Sequence, residues 1–298
     1  MKTFSIITPV YNGAKYISKC IEAVIHANYP LSNIEHIIID DGSTDTTKQI
    51  CEHYAKQYKH IKFHSKANGN WGSVINYVKA KQLAKNDYVV ICDADDQLLP
   101  QSFYTVNKNC ENVDLFVSGF YRWNGKKKKV KIIPYFFLTK KKLTKQRQWQ
   151  YHTPLIVPQS GWIKNKIFYE TETLREGVAY QDTVLFTSAF LASHTIKYTT
   201  KATSLYWCAR PGNSMSFAKQ ELGLEKMTSN FDLYAERKWI NPFFYYVIGM
   251  KKIRMYLKRH NLSYDFGKKK VDYSGFPIYT RPFLWLLYLI MVKRFIKK

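Results

Sequence analysis

The first hundred residues alternate between short apolar runs that are typical of strands and longer segments that are typical of helices. The strand-like runs are rich in β-branched residues, and the segments between them have the apolar spacing or the capping residues of helices. The predicted strands are 4–10, 34–40, 61–65 and 87–93, and the predicted helices are 15–27, 43–58 and 72–84. Such alternation predicts parallel strands joined by crossover helices.

Polar residues follow three of these strands, at the point where each strand ends. The segments are TPVYN after the first strand, DDGSTD after the second and CDADD after the fourth. The carboxyl ends of parallel strands lie on one edge of a sheet, and ligands bind beyond that edge. We therefore expect the following residues to converge: Tyr11, Asn12, Asp40, Asp41, Asp93, Asp95 and Asp96.

Several carboxylates at one edge destabilise a fold, because like charges repel each other. A divalent cation bound to phosphates would remove that repulsion. Mg²⁺ and Mn²⁺ favour a site with one or two carboxylates plus phosphate oxygens of the substrate. The acidic edge therefore predicts a Mn²⁺ or Mg²⁺ site that holds an anionic diphosphate.

The chain has a formal net charge of +24, which indicates an anionic partner. Nucleic acid, lipid headgroups and a phosphorylated substrate all fit that charge. We expect no nucleic-acid partner, because no helix-turn-helix, zinc-finger or RNP pattern is present and because nucleic acid would leave the acidic edge unexplained.

The cysteines indicate a reducing compartment. Their number is odd and none are spaced as C-x-x-C, so we expect reduced thiols, the cytosol and no zinc site. They are Cys20, Cys51, Cys92, Cys110 and Cys208. We interpret the N-terminus as a first strand and not as a signal peptide.

The remainder of the chain has a different pattern. Segments 114–123 and 128–137 read as strands around a turn at Asn124-Gly125, and from about residue 217 the pattern is helical, basic and aromatic. The apolar run 283–292 is too short to cross a bilayer, and basic residues follow it. It is either a core helix or a segment that dips into an anionic leaflet.

Three segments, in this order and at this spacing, resemble the family 2 glycosyltransferases. They are IITPVYNGAKYISKCIEAV, HIIIDDGSTDTT and VVICDADDQLLP. The resemblance implies an α/β fold of the GT-A type, with a mixed, mostly parallel sheet flanked by helices. It covers a nucleotide-sugar-binding half (1–105) strongly and an acceptor-binding and catalytic half (106–216) loosely. The helical, basic and aromatic C-terminal extension (217–298) is predicted from its residue pattern and not from the resemblance.

The resemblance also implies roles for single residues. The PVYN loop matches the segment that lines the base, Asp41 the acid that bonds uracil, and Asp93 the acid nearest the ribose. Asp95 matches the metal ligand, with Asp96 close by as a second one. The residues matched to nucleotide-sugar binding are Pro9, Val10, Tyr11, Asn12, Asp41, Asn68, Gly69, Trp71, Asn76, Asp93, Ala94, Asp95 and Arg210. Trp71 stands where the family often has His, and a packing role is the alternative.

Two further segments resemble the family's catalytic half. GVAYQDTVLF (177–186) is similar to its E-D motif with Gln181 in place of Glu, so Asp182 matches the general base of inverting enzymes. The alternative for Asp182 is an ordinary helix cap. YWCARPGNSMS (206–216) resembles the loop that closes over the nucleotide, in which Arg210 would pair with the diphosphate or, alternatively, form a surface salt bridge.

Together these features predict a hexosyltransferase-type enzyme that is inverting and metal-dependent. It would move a sugar from a nucleoside diphosphate sugar, expected to be a UDP-sugar, to a glycan, lipid-linked or protein-linked acceptor in cell-surface glycan or glycoconjugate synthesis. We expect it on an anionic membrane surface, the cytoplasmic face of the plasma membrane. The alternatives are a sugar nucleotidyltransferase, whose Gly- and Arg-rich phosphate loop is missing here, and a basic non-catalytic protein that binds nucleic acid or a partner enzyme.

Overall fold

A computed structural model describes residues 1–123, 125, 130–132, 143–144, 156–178 and 180–208. The chain divides into two units, residues 1–213 and 214–298, and the description below concerns the first. Arg210, the extension 217–298 and most of the predicted strand 128–137 lie outside the described residues.

Ten strands of the described residues form one mixed sheet in the order β3-β2-β1-β4-β9-β6-β10-β5, with β7 paired to β6 and β8 paired to β10. The strands are β1 Phe4–Val10, β2 Ile34–Asp40, β3 Ile61–Ser65, β4 Tyr88–Ile91, β5 Gln97–Leu98, β6 Leu115–Trp123, β7 Val130–Ile132, β8 Leu143–Thr144, β9 Gly161–Lys164 and β10 Thr195–Trp207. The helices are α1 Ile17–Ile25, α2 Thr47–Gln57, α3 Asn70–Ala80, α4 Ser102–Asn107, α5 Asn165–Glu170 and α6 Gln181–Ala192.

The first four strands are parallel, as the alternating pattern predicts. In the ladder between β1 and β2, Val10 lies opposite Asp40, and in the next ladder Asp40 lies opposite Ser65. On the other side of β1, Ile7 lies opposite Ile91 of β4. The carboxyl ends of these strands therefore meet at one edge, and the predicted convergence of the three polar clusters is confirmed.

The other part of the sheet adds antiparallel strands. β9 is antiparallel to both β4 and β6, whereas β10 is parallel to β6. β5 is antiparallel to β10, although it follows the acidic loop 93–96 directly in sequence. The acidic loop therefore runs from a strand in one part of the sheet to a strand in the other.

An aromatic cluster fills the core beneath the sheet. The ring of Phe4 meets that of Trp162 edge-on at a centroid distance of 5.5 Å, and Phe103 meets Trp162 edge-on at 5.6 Å. All three side chains are fully buried. Each such pair contributes about 0.5–1.5 kcal/mol beyond the burial of its area. This cluster joins β1, α4 and β9 in one core.

Two further findings bear on the sequence predictions. All five cysteines are free thiols, and Cys92 is a buried core residue. Within the described ranges, no helix has the length and apolar character needed to cross a membrane.

Candidate functional site

The loops after β1 and β2 are locked to each other by side chain to backbone hydrogen bonds. The Thr44 backbone N–H donates to Asn12 Oδ1 at 2.8 Å, and the Asn12 N–H donates to Ser43 Oγ at 2.9 Å. The next N–H along, that of Gly13, donates to Thr47 Oγ1 at 2.9 Å. Asn12 itself has φ 48°, a left-handed conformation that Asn tolerates better than most residues. The two loops therefore form one continuous surface.

The PVYN loop presents one large apolar side chain to solvent. Tyr11 is 54% exposed, whereas Val10 is buried and Pro9 is half-buried in β1. Ala94, in the acidic loop, is half-buried against the same core. An exposed aromatic ring above a rigid loop is suited to stacking on a planar ligand.

Asp40 and Asp41 have different surroundings, although they are adjacent. Asp40 accepts hydrogen bonds from the Ser43 N–H at 3.1 Å and from Ser65 Oγ at 2.9 Å, so it holds the turn after β2. Asp41 is 4% exposed and its Oδ1 accepts from Lys66 Nζ at 2.7 Å and from the Gly69 N–H at 3.1 Å. Lys66 offsets the charge of Asp41, which ties the turn to the start of α3.

Two of the predicted nucleotide-binding residues thus contact a third. Gly69 donates to the Asp41 carboxylate, and Asn68 Nδ2 donates to the Asp41 carbonyl oxygen at 2.9 Å. Trp71, in the first turn of α3, reaches the acidic loop, where its indole N–H donates to Asp93 Oδ1 at 2.9 Å. The start of α3 therefore connects the turn after β2 with the acidic loop after β4.

The opposite face of α3 holds the segment that leads into α6. Asn76 Nδ2 donates to the Leu174 carbonyl oxygen at 2.8 Å, and the Leu174 N–H donates to Asn76 Oδ1 at 2.9 Å. Lys79 Nζ donates to the Thr171 carbonyl oxygen at 2.5 Å. At Gly72 a β-carbon would lie 2.8 Å from the carbonyl oxygen of Arg175, so only glycine permits this approach. Asn76 is therefore engaged in packing the segment before α6 onto α3.

Asp182 is the second residue of α6, which follows Tyr180 in a left-handed conformation. Burial raises the pKa of Asp182 to about 6, although the Thr183 backbone N–H lowers it in part. Gln181 is buried, and its Oε1 accepts from the Arg175 N–H at 2.8 Å. The amide that replaces the family's Glu therefore fixes the turn before α6, and Asp182 remains half-buried with a pKa close to neutrality.

The acids of the DADD loop differ in direction. Asp93 and Asp95 are half-buried at the edge, whereas Asp96 is 1% exposed. Asp96 Oδ1 accepts from the Trp207 backbone N–H at 2.7 Å, and its Oδ2 accepts from Gln159 Nε2 at 2.8 Å. Burial, with the charges of Asp95 and Asp93, raises the pKa of Asp96 well above its usual range. Of the two predicted metal ligands, Asp95 is thus the more exposed one.

Tyr206 is the site residue that the sequence analysis did not single out. Burial raises the pKa of its phenol, and the negative charges of four carboxylates raise it further. They are, in order of effect, Asp96, Asp93, Asp182 and Asp95. Tyr206 therefore lies within electrostatic reach of both the acidic loop and Asp182. The sequence signal that could have indicated Tyr206 is its position as the first residue of the segment YWCAR.

The carboxylates at the sheet edge fit a divalent cation that binds together with substrate phosphates. In the part of the chain that the structure describes, no group of three or more His, Cys, Asp or Glu side chains is arranged to hold a metal ion. Asp93 and Asp95 nevertheless offer carboxylate oxygens at one edge. Mg²⁺ needs only one or two carboxylates when substrate phosphates and water complete its coordination.

Comparisons with known sequences give a consistent result. The family described as "Glycosyl transferase family 2" matches residues 5–171. The "Uncharacterized glycosyltransferase MG060 homolog" of Mycoplasma pneumoniae is 30% identical over an alignment of 297 residues that covers 98% of this chain and 96% of that protein. The "Uncharacterized glycosyltransferase MG025 homolog" of the same species is 35% identical over 211 residues, 71% of this chain and 69% of the relative.

Solved structures share the fold at low sequence identity. S. aureus TarS 1–349 in complex with UDP-GlcNAc has a TM-score of 0.62 at 17% identity, over 95% of this chain and 78% of that chain. The mannosyltransferase PcManGT from Pyrobaculum calidifontis, in complex with GDP-Man and Mn²⁺, has a TM-score of 0.58 at 15% identity, over 79% and 64% of the two chains.

Proposed function

The chain belongs to glycosyl transferase family 2 and has a GT-A fold, and from this premise we propose that it transfers a sugar, with inversion, from a nucleoside diphosphate sugar to a hydroxyl acceptor. The single observation that carries the proposal is the position of α3, which is bound to the acidic loop through Trp71 and Asp93 and to the segment before Asp182 through Asn76 and Leu174. A leaving diphosphate at the acidic loop and an acceptor hydroxyl at Asp182 would then be neighbours across one reacting carbon.

The donor is proposed to be a UDP-sugar, held between the two interlocked loops and the start of α3. Asp41, fixed by Lys66 and Gly69, would accept from the N–H of the base. Tyr11 is exposed next to it and would stack on the base. TarS in complex with UDP-GlcNAc supports this choice, and PcManGT with GDP-Man supports the wider class of nucleotide sugars.

Asp95, with Asp93 beside it, would hold Mn²⁺ or Mg²⁺ together with the diphosphate oxygens. When bound, such a cation offsets the negative charge of the leaving diphosphate. Asp93 has one oxygen bound to the Trp71 indole N–H, so it has a fixed orientation. Arg210, which lies outside the described residues, is proposed to pair with the same diphosphate.

Asp182 is proposed as the general base. The acceptor oxygen attacks the anomeric carbon from the face opposite the diphosphate, and its proton passes to a carboxylate oxygen of Asp182. The bond between the anomeric carbon and the diphosphate oxygen breaks, and the diphosphate leaves with the electron pair. The raised pKa of Asp182, about 6, makes it a better proton acceptor than an exposed carboxylate and leaves it ionised above that pH.

The charge distribution supports an anionic membrane surface on the cytoplasmic side as the place of action. Residues 1–125 and 156–208 together contain 18 Lys and Arg against 16 Asp and Glu, whereas the other 120 residues contain 28 against 6. The GT-A part is thus almost neutral, and the positive charge belongs to segments 126–155 and 209–298. We propose that these segments bind anionic lipid and that the acceptor is a glycan, a lipid-linked or a protein-linked precursor of a cell-surface glycan or glycoconjugate.

The test is donor binding and slow donor hydrolysis with a panel of nucleotide sugars, with and without Mn²⁺. Asp95→Asn should abolish metal-dependent binding of UDP, because a ligand of the cation is lost. Asp87→Asn is the matched control, because Asp87 lies at the other end of the same strand and is exposed. If calorimetry gives the same UDP affinity with and without Mn²⁺, and the same for Asp95→Asn, the metal assignment is wrong.

A further inference from the structure

Asp96 has an unusual position for an acid in a D-A-D-D run. Its side chain is 1% exposed, and both of its oxygens accept hydrogen bonds from segments that are distant in the sequence. One donor is the backbone N–H of Trp207, the last residue of β10. The other is the amide of Gln159, which lies in the buried turn Pro158–Ser160 before β9.

The partners of Asp96 are themselves held firmly. The indole ring of Trp207 packs edge-on against Tyr16 at a centroid distance of 5.5 Å and at a tilt of 36° against Trp123 at 5.1 Å. Gln159 is fully buried, and within the described part of the chain its Oε1 has no hydrogen-bond partner. The carboxylate of Asp96 is therefore fixed from two sides by groups that have little freedom to move.

The acidic loop has a second link to β10, in addition to the hydrogen bonds of Asp96. Just after the loop, Leu98 pairs with Ser204, and the Leu99 N–H donates to the Thr203 carbonyl oxygen at 2.9 Å. The loop is thus connected to β10 on its inner side by Asp96 and at its end by β5. The segment 208–216, which carries Arg210, follows Trp207 directly in the sequence.

We propose that Asp96 is a positioning residue and not a metal ligand: it braces the acidic loop against Trp207 and Gln159 and thereby holds Asp95 toward the diphosphate. This inference rests on the proposed function, because the position of Asp95 matters only if that residue binds a cation and diphosphate. The same brace holds Trp207 at the end of β10, three residues before Arg210 in the sequence.

An isosteric substitution separates the two candidate roles of Asp96, which are bracing the loop and binding the metal. In Asp96→Asn the side-chain oxygen can still accept from the Trp207 N–H. If the Gln159 amide rotates by a half turn, its unpartnered Oε1 accepts from the new side-chain NH₂. The brace therefore survives in this variant, but a carboxylate ligand does not. Asp96→Ala removes both, and Gln159→Leu removes one arm of the brace while it leaves the carboxylate in place.

The experiment measures the dissociation constant of UDP with and without Mn²⁺ for the wild type, Asp95→Asn and these three variants. We expect Asp96→Asn to bind like the wild type, and Asp96→Ala and Gln159→Leu to lose roughly tenfold in the Mn²⁺-dependent affinity, the usual cost of removing a group that orients a metal ligand. A loss in Asp96→Asn equal to that in Asp95→Asn would show that Asp96 is a ligand. Unchanged binding in both Asp96→Ala and Gln159→Leu would equally overturn the proposal.

A second measurement tests the hydrogen bonds of Asp96 independently of the proposed function. Hydrogen exchange of the Trp207 amide should be slow in the wild type and in Asp96→Asn, and fast in Asp96→Ala. If the wild type shows no Mn²⁺-dependent binding of any nucleotide, the proposed donor and metal fail. The exchange rates then still decide whether the brace exists, and fast exchange in Asp96→Asn would show that it does not survive the substitution. Should Asp96→Ala fail to fold, Gln159→Leu takes its place in the binding measurement; its Trp207 amide should still exchange slowly, because the bond from the Trp207 N–H to Asp96 remains.

Discussion

The indole N–H of Trp71 donates a 2.9 Å hydrogen bond to Oδ1 of Asp93, and so joins the first turn of α3 to the acidic loop. One oxygen of Asp93 is thereby committed to a neutral donor. Trp71 thus orients an acid of the site, a role that the packing alternative for this residue does not include.

Trp71→Phe should weaken donor binding, because the aromatic ring remains while the N–H that orients Asp93 is lost. Hydrogen bonds to charged groups contribute about 1.5–3 kcal/mol, and partial exposure reduces this, so we expect a roughly fivefold higher KM for the donor. Trp71→His, which restores a ring N–H, should recover part of the loss. Equal KM values for all three proteins would mean that Trp71 serves packing alone.

Asp182→Asn should lose transfer by roughly 10²-fold or more in kcat, the usual contribution of acid–base catalysis, while the donor still binds. In the wild type, kcat should rise with pH through about 6, where the Asp182 carboxylate ionises. Glu172→Gln and Glu176→Gln are the controls, since both carboxylates precede α6 in sequence. Near-normal turnover in Asp182→Asn would move the role of base to one of them.

The same substitution should stabilise the protein at neutral pH. Burial raises the pKa of Asp182 from 3.8 to about 6, so the folded state binds a proton more tightly than the unfolded state. The stability associated with this group is present below pH 3.8 and is lost as pH rises through 6, at most about 3 kcal/mol. Denaturation by urea should therefore show a gain for Asp182→Asn at pH 8 that vanishes near pH 4.

His36 should make the protein sensitive to acid. Its buried Nε2 lies 2.8 Å from Thr8 Oγ1, and burial, with a smaller effect of His60, lowers the pKa of His36 to about 3. Between pH 6.5 and 3 the unfolded state binds a proton that the folded state does not. Stability should thus fall as pH falls through this window, by about 1.4 kcal/mol per pH unit from this group. His36→Gln should flatten the slope, and the exposed His26→Gln should not; equal slopes would refute the assignment.

Removal of residues 283–298 should weaken binding to anionic vesicles. Each basic residue near an anionic leaflet contributes on the order of 1 kcal/mol, and salt screens the attraction. Sedimentation with vesicles should therefore need anionic lipid and weaken with salt. Replacement of Lys293, Arg294, Lys297 and Lys298 by Gln is the matched control, which keeps the apolar run. A truncated chain that sediments as well as the full chain would return the run to the core-helix alternative.

The parallel part of the fold could be predicted from sequence because its strands are buried apolar runs. β1, β2 and β3 begin and end where the pattern places them. The helix predicted from residue 43 begins at Thr47 instead, because residues 43 and 44 are engaged with Asn12. β9 has only four residues, too few to show a period, whereas the thirteen residues of β10 carried a β-branched pattern that could have been recognised.

The sequence predicts that the strand ends lie at one edge of the sheet, but it does not predict the direction of each side chain there. Strand ends in a parallel sheet determine that the acids converge, but they do not determine which way each carboxylate points. The Asp96 carboxylate points inward because its two hydrogen-bond donors, the Gln159 amide and the Trp207 N–H, lie on that side. Both donors belong to segments that are far away in sequence. Nothing in the local sequence of Gln159 indicates that role.

The exchange of strands between the two predicted halves limits how enzymes of this kind can be recombined. β9 completes the ladder of β4, and β5 completes that of β10, so each half holds a strand that belongs to the other. A chimaera joined near residue 105 would force unrelated partners into both ladders at once. Grafting a whole acceptor half is therefore a poor route to a new specificity, and exchanging loops at the sheet edge, where no ladder is interrupted, is the more promising one.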